Sequence, residues 1–141
     1  MNLILVPLDT SEAASEAIEP AMELAEALDY SLLLLAVADV VVKNAMRPVM
    51  ESEHVNAERA LESYLGAISD ELDGRGVDIE TMVVDAADPA AAIADTAESR
   101  GAEMIVMCSH GRTGAARWLL GSTADHVIRA AKVPVHLVPV R

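Results

Sequence analysis

Short strand-type runs alternate with helix-type stretches along this 141-residue chain, and that alternation restricts the fold more than any other feature. Residues 2–8 (Asn-Leu-Ile-Leu-Val-Pro-Leu), Ser31 to Ala38 and Glu103 to Met107 are short, largely apolar runs that suit strands buried on both faces. Val77 to Val84 instead sets Val77, Ile79, Thr81 and Val83 against Asp78 and Glu80, the alternation of an edge strand with one wet face. Pro134 to Val138 is the last such run. A parallel neighbour is reached only through a crossover, usually a helix. The βαβαβαβαβ order therefore predicts an α/β fold: a single five-stranded parallel sheet with helices on both faces. Ligands of such sheets bind outside the carboxyl ends of the strands, where the strand order reverses.

The helices can be placed from their caps and periods. Asp9-Thr10-Ser11 offers caps, Glu12 suits a first turn, and Ala14, Ile18, Ala21, Met22, Ala25 and Leu28 share a face, so a helix is expected to about Leu28. Pro20 lies within it and should remove a hydrogen bond and kink it, giving one bent helix or two pieces. Asp39 to Met50 has no period and reads as a mobile loop. Residues 51–73 form the longest helical pattern, with Ala57, Leu61, Tyr64, Leu65, Ile68 and Leu72 on one face, and Gly74-Arg75-Gly76 ends it. Asp88-Pro89 reads as an N-cap with proline at the first helical position, Ile93 and Ala97 face inward, and Gly101 is the expected C′ glycine. Ala124, Val127, Ile128 and Ala131 mark the last helix, with Ser122 and Asp125 spaced as a capping box. With no repeat, low-complexity segment or boundary, residues 1–141 are expected to form one domain.

Between the fourth strand and the last helix lies Cys108-Ser-His-Gly-Arg-Thr-Gly-Ala-Ala-Arg-Trp-Leu-Leu-Gly-Ser-Thr123. Glycines let backbone N–H groups approach an anion, and a helix N-terminus adds unpaired donors and a positive dipole end. The residues themselves leave two readings open: a phosphate cradle at Gly111, Gly114, Gly121, Ser122 and Thr123, or a flexible loop whose Ser122 is an ordinary N-cap. Charge favours the cradle. The net charge is −13, yet residues 108–141 carry five basic residues (Arg112, Arg117, Arg129, Lys132, Arg141) against Asp125 alone.

That charge, with only one Trp, two Tyr and no Phe, argues against nucleic acid as a partner, and against an anionic membrane surface. No apolar run approaches the roughly 20 residues of a membrane span. A single cysteine permits no internal disulfide, and the chain enters its first strand without a signal-peptide pattern; both suit a cytoplasmic location.

The glycine stretch resembles the signature of the universal stress protein family, Gly-x2-Gly-x9-Gly-(Ser/Thr), and reads here Cys108-x2-Gly111-x9-Gly121-Ser122. The resemblance runs from Leu3-Ile-Leu-Val-Pro-Leu-Asp9 to Pro134-Val-His-Leu-Val138. It implies a Rossmann-like, adenine nucleotide alpha hydrolase-like fold with strand order 3-2-1-4-5. It also implies a site for ATP, with or without Mg2+, or for a related adenine nucleotide. Pro7, Leu8 and Asp9 would hold the adenosine and Val37 would meet adenine through its backbone. Met107, Cys108, His110, Gly111, Arg112, Gly114, Gly121, Ser122 and Thr123 would complete the site. For Asp9 the alternative is a plain helix cap; for Arg112 and Arg117, solvated surface; for His110, packing. Cys108 departs from the pattern, and its side chain costs little at negative φ but brings strain at positive φ. Ala87 likewise stands where family members often have glycine. The resemblance further implies a homodimer through Pro134–Val138, an apolar edge hidden by self-pairing.

No catalytic set emerges. His54, His126 and His136 are scattered, and there is no P-loop Lys-Ser/Thr, no metal-ligand cluster and no paired carboxylates at the expected cleft. The expected role is nucleotide sensing or adaptor work in a stress response, with at most slow hydrolysis. The alternative is a nucleotide-free dimeric adaptor acting through protein partners.

Overall fold

A computed structural model describes residues 2–38, 51–109 and 120–140, with side chains in the second segment from Val55 onward. The order is β1 (Leu3–Pro7), α1 (Glu12–Ser15), α2 (Ile18–Leu28), β2 (Ser31–Ala38), α3 (Glu51–Glu71), β3 (Ile79–Asp85), α4 (Pro89–Ser99), β4 (Met104–Cys108), α5 (Ser122–Ala130) and β5 (Val135–Val138). All five strands are parallel, in the order β3-β2-β1-β4-β5. The chain therefore grows outward from β1 to one edge, then crosses back to lay β4 on the other side of β1. The order reverses between β1 and β4, at the centre of the sheet.

Side-chain alternation sorts the core into two layers. Ile4, Val6, Leu32, Leu34, Ala36, Val106 and Cys108 face α1, α2 and α3, against Ala14, Met22, Ala25 and Leu65. Leu5, Leu33, Leu35, Ile105 and Met107 face α4 and α5, against Ile93, Ala97, Ala124 and Val127. Leu32 to Leu35 are fully buried, each worth about 2 kcal/mol of apolar transfer, which explains why this run is continuous rather than alternating.

Several local expectations change. The first helix is two: Glu16 and Ala17 form a turn between α1 and α2, and Pro20 sits in the first turn of α2, where its missing N–H removes no helical bond. The lost bond expected at Pro20 therefore does not occur, and of the two readings, one bent helix or two pieces, the second is observed. The third strand starts at Ile79 rather than Val77, and the fourth extends to Cys108. Ile128 and Leu28, expected on apolar faces, are 41% and 44% exposed. The α4 boundaries match the reading: Asp88 caps the helix by accepting from the Ala91 N–H at 3.2 Å, with Pro89 first inside. At its other end Gly101 has φ +67°, and the Gly101 and Ala102 amides bond back to Glu98 and Ala97, a Schellman closure that needs the left-handed residue. The loop reading of Asp39 to Met50 lies outside the described residues.

Candidate functional site

The carboxyl ends of β1, β2 and β4 are neighbours in the sheet, where the strand order reverses. Beyond β1, Asp9 does not cap α1 itself. Its Oδ1 accepts from both the Ser11 N–H, at 3.0 Å, and the Ser11 hydroxyl. Ser11 Oγ in turn accepts from the Ala14 N–H at 3.0 Å and is the N-cap. Between them Thr10 is held at φ +71°, a conformation that a β-branched side chain rarely adopts. Strained residues of this kind concentrate at functional turns, where surrounding bonds enforce them.

Pro7 is half-buried and Leu8 buried beneath this turn. At β2, the Leu8 N–H donates to Leu35 C=O at 2.8 Å, and the β1–β2 register ends with Pro7↔Leu35. Odd-numbered residues of β2 point their peptide groups at β1, as Ser31 N–H to Asn2 C=O also shows. The N–H and C=O of Val37 therefore point toward β1 just past the last rung of the β1–β2 ladder, while Val37 stays in register with Val84 of β3.

Beyond β4, Met107 packs into the α4/α5 layer and Cys108 into the α1/α2 layer. Cys108 is 7% exposed, and among the described residues only Thr10 and Asp29 combine a side chain with positive φ. Cysteine at the first glycine position thus carries no backbone strain, and neither does Ala87. The Ser109 N–H donates to Val138 C=O, and Ser109 C=O accepts from the Gly121 N–H at 2.8 Å. That bond brings the start of α5 back to the end of β4.

Gly121, in extended conformation at φ −65°, is the N-cap of α5 and supplies no side-chain cap. The capping box read at Ser122 and Asp125 is thereby corrected: Ser122 is the first helical residue, and Asp125 pairs with Arg129 one turn on, at 3.1 Å. The physical reason is the Gly121–Ser109 bond, which draws the chain into the helix one residue earlier. Ser122 and Thr123 are exposed, and the first-turn amides of α5 lie without intrahelical acceptors. His110, Gly111, Arg112 and Gly114 lie outside the described residues.

Sequence reasoning placed Tyr64 on the apolar face of a helix and missed a second property. Its ring packs against the same core layer as Leu8 and Ala14. Burial, and then the negative charge of Asp9, push its phenol above the ordinary value of 10.0. Tyr64 thus feels the charge of Asp9, which helical periodicity alone does not reveal. Among the described residues no group of three or more His, Cys, Asp or Glu side chains is placed to hold a metal ion. No helix among them is long and apolar enough to cross a membrane.

The sequence profile of the universal stress protein family matches residues 1–139. The chain belongs to the universal stress protein family. Universal stress protein MJ0531 of Methanocaldococcus jannaschii is 30% identical, the match covering 96% of this family member and 80% of that relative. The solved structure of hypothetical protein MJ0577 superposes with a TM-score of 0.81 at 29% identity, over 99% of this chain and 96% of that one. A universal stress protein solved in complex with cAMP gives a TM-score of 0.73 at 23% identity, over 99% and 98% of the two chains. The family assignment and the observed strand order agree with the resemblance and the fold class expected from the sequence.

Proposed function

We propose that this universal stress protein binds ATP or a related adenine nucleotide across the carboxyl ends of β1, β2 and β4, as a homodimeric stress-response sensor of the cytoplasm. The observation that carries the reading is the pair of Val37 peptide groups. An N–H and a C=O side by side, outside the β1–β2 ladder and facing the crevice, complement the N1 acceptor and N6 donors of adenine. The Asp9–Ser11 turn then lies where a ribose would follow. The first-turn amides of α5, with Ser122 and Thr123, lie where phosphates would meet a helix N-terminus. A universal stress protein of similar fold has been solved in complex with cAMP, which supports the reading. Cys108, free of positive φ and packed toward α1 and α2, is compatible with a ligand at this end of the sheet. Mg2+ would be carried on the phosphates. The role read here is binding and sensing, with slow hydrolysis at most. The dimer reading is supported by β5 being an edge strand of the sheet, since self-pairing is one way to satisfy such an edge.

The test is thermal unfolding of protein stripped of nucleotide by unfolding and refolding, with Mg-ATP, AMP and GTP. Ligand at 100 times its dissociation constant stabilises by about 2.7 kcal/mol. For a chain of this length that is roughly 5–10 °C. The expected result is a shift with adenine nucleotides that Gly121→Val abolishes. No shift at millimolar concentration defeats the reading and leaves the nucleotide-free adaptor. Light scattering on the same sample decides the dimer.

A further inference from the structure

β1 and β4 are neighbours at the centre of the sheet, yet their ladder closes over only two rungs, Ile4↔Met104 and Leu5↔Ile105. Neither strand ends there. β1 stays paired with β2 as far as Pro7↔Leu35, and β4 stays paired with β5 as far as Cys108↔Val138. The directions of the peptide groups explain the break. Asn2 C=O accepts from Ser31 and Leu8 N–H donates to Leu35, so even-numbered residues of this stretch face β2. Leu3 C=O accepts from Glu103, so odd-numbered residues face β4. In a parallel ladder the next bond above Leu5 would run from the N–H of residue 7 to the C=O of Val106. Residue 7 is proline and has no N–H. Proline is ordinarily confined to edge strands because it breaks a ladder. Here it stands in the central strand, and the donor it lacks is the one facing the point where the strand order reverses.

We infer that Pro7 is a positioning residue: by withholding one rung it keeps the carboxyl ends of β1 and β4 apart, and so sets the gap between the Asp9 turn and the Ser109–Gly121 junction that a nucleotide's sugar and phosphates would occupy. The inference rests on the nucleotide-binding reading above. Restoring an amide at position 7 lets β1 and β4 zip together one rung further. A ligand that needs the gap must then open that rung first. A net hydrogen bond of ordinary strength makes this a loss of about three- to tenfold in affinity.

The experiment is Pro7→Ala, with Pro7→Val as a second variant that carries the same new amide on a better strand former. Amide exchange followed by NMR reads the ladder, and calorimetric titration with Mg-ATP and AMP reads the gap. The expected result is a position-7 amide as protected as its neighbours in β1, with affinity for both nucleotides lower by that factor while the melting temperature is unchanged or higher. A proline that merely stiffened the strand would give the opposite pattern: lower stability and an unprotected amide. A position-7 amide that exchanges like a loop amide in both variants overturns the inference, as does a protected amide with unchanged affinity. If the wild type binds neither nucleotide, the nucleotide reading falls and the positioning role falls with it. Position-7 exchange still tells that outcome apart from a ladder that proline never interrupted.

Discussion

Replacing Ser11 tests whether the turn beside the site is held as the geometry implies. Its hydroxyl donates to Asp9 Oδ1 and accepts from the Ala14 N–H, so one side chain joins the carboxylate to the start of a four-residue helix. Ser11→Ala removes a cap worth about 1 kcal/mol. It also removes the bond to Asp9, worth about 0.5 kcal/mol more once water replaces the hydroxyl at this partly exposed position. The expected loss is about 1.5 kcal/mol, roughly 4–6 °C in melting temperature for a chain of this size. The sharper perturbation is Ser11→Asp. Aspartate caps most helices as well as serine does, but here the new carboxylate would meet Asp9. Like charges about 4 Å apart repel by roughly 1–4 kcal/mol between water and a protein surface. Ser11→Asp should therefore be less stable than Ser11→Ala at neutral pH, and its deficit should shrink as acid neutralises the pair. Urea unfolding followed by far-ultraviolet circular dichroism, with slopes compared across variants, measures both. A Ser11→Asp protein as stable as the wild type would refute the Asp9–Ser11 relay.

Two further outcomes follow from local geometry. A Cβ at Gly66 or at Gly101 meets nothing within 4 Å, but Gly66 is helical and Gly101 has φ +67°. Gly66→Ala should therefore raise stability by about 1 kcal/mol. Gly101→Ala should lower it by about 1 kcal/mol, the left-handed penalty less the gain from a stiffer unfolded chain; equal signs in urea unfolding would defeat this account. Tyr64 is held above 10.0 by burial first and by Asp9 second, so Asp9→Asn should move its phenolate absorbance midpoint downward without returning it fully to the ordinary value. The stability tied to neutral Tyr64 is fully present below pH 10 and is lost as pH rises through the folded value, so the variant should lose less stability in alkali. A midpoint unmoved by Asp9→Asn would show that the two groups do not meet.

What was legible in the sequence was local or periodic. Asp88-Pro89 and Gly101 specify the ends of α4, because a cap, a proline φ and a left-handed glycine act within a few residues of themselves. The run from Leu32 to Leu35 specifies a strand wet on neither face. The alternation of such runs with helices leaves little but a parallel sheet, and the glycine spacing points to one loop of it. Pro20 left one bent helix or two pieces open, because its cost depends on its position in the helix, and that was set by the turn at Glu16 and Ala17. Ser122 misled for a related reason: the Gly121–Ser109 bond, a contact across the site, decides where α5 begins.

By itself, then, the chain determined its element types and their order, and pointed to the carboxyl end of the sheet. Periodicity and turn chemistry are properties of neighbouring residues. Only the tertiary structure decided which peptide groups are left over at that end. Val37 points its N–H and C=O at the crevice because β1 stops pairing below it. Pro7 breaks one ladder and spares the other because odd-numbered residues of β1 face β4. Tyr64 feels the charge of Asp9 because α3 packs on that face of the sheet. Such facts depend on register and strand neighbours, which long-range packing selects and which no short stretch of sequence encodes.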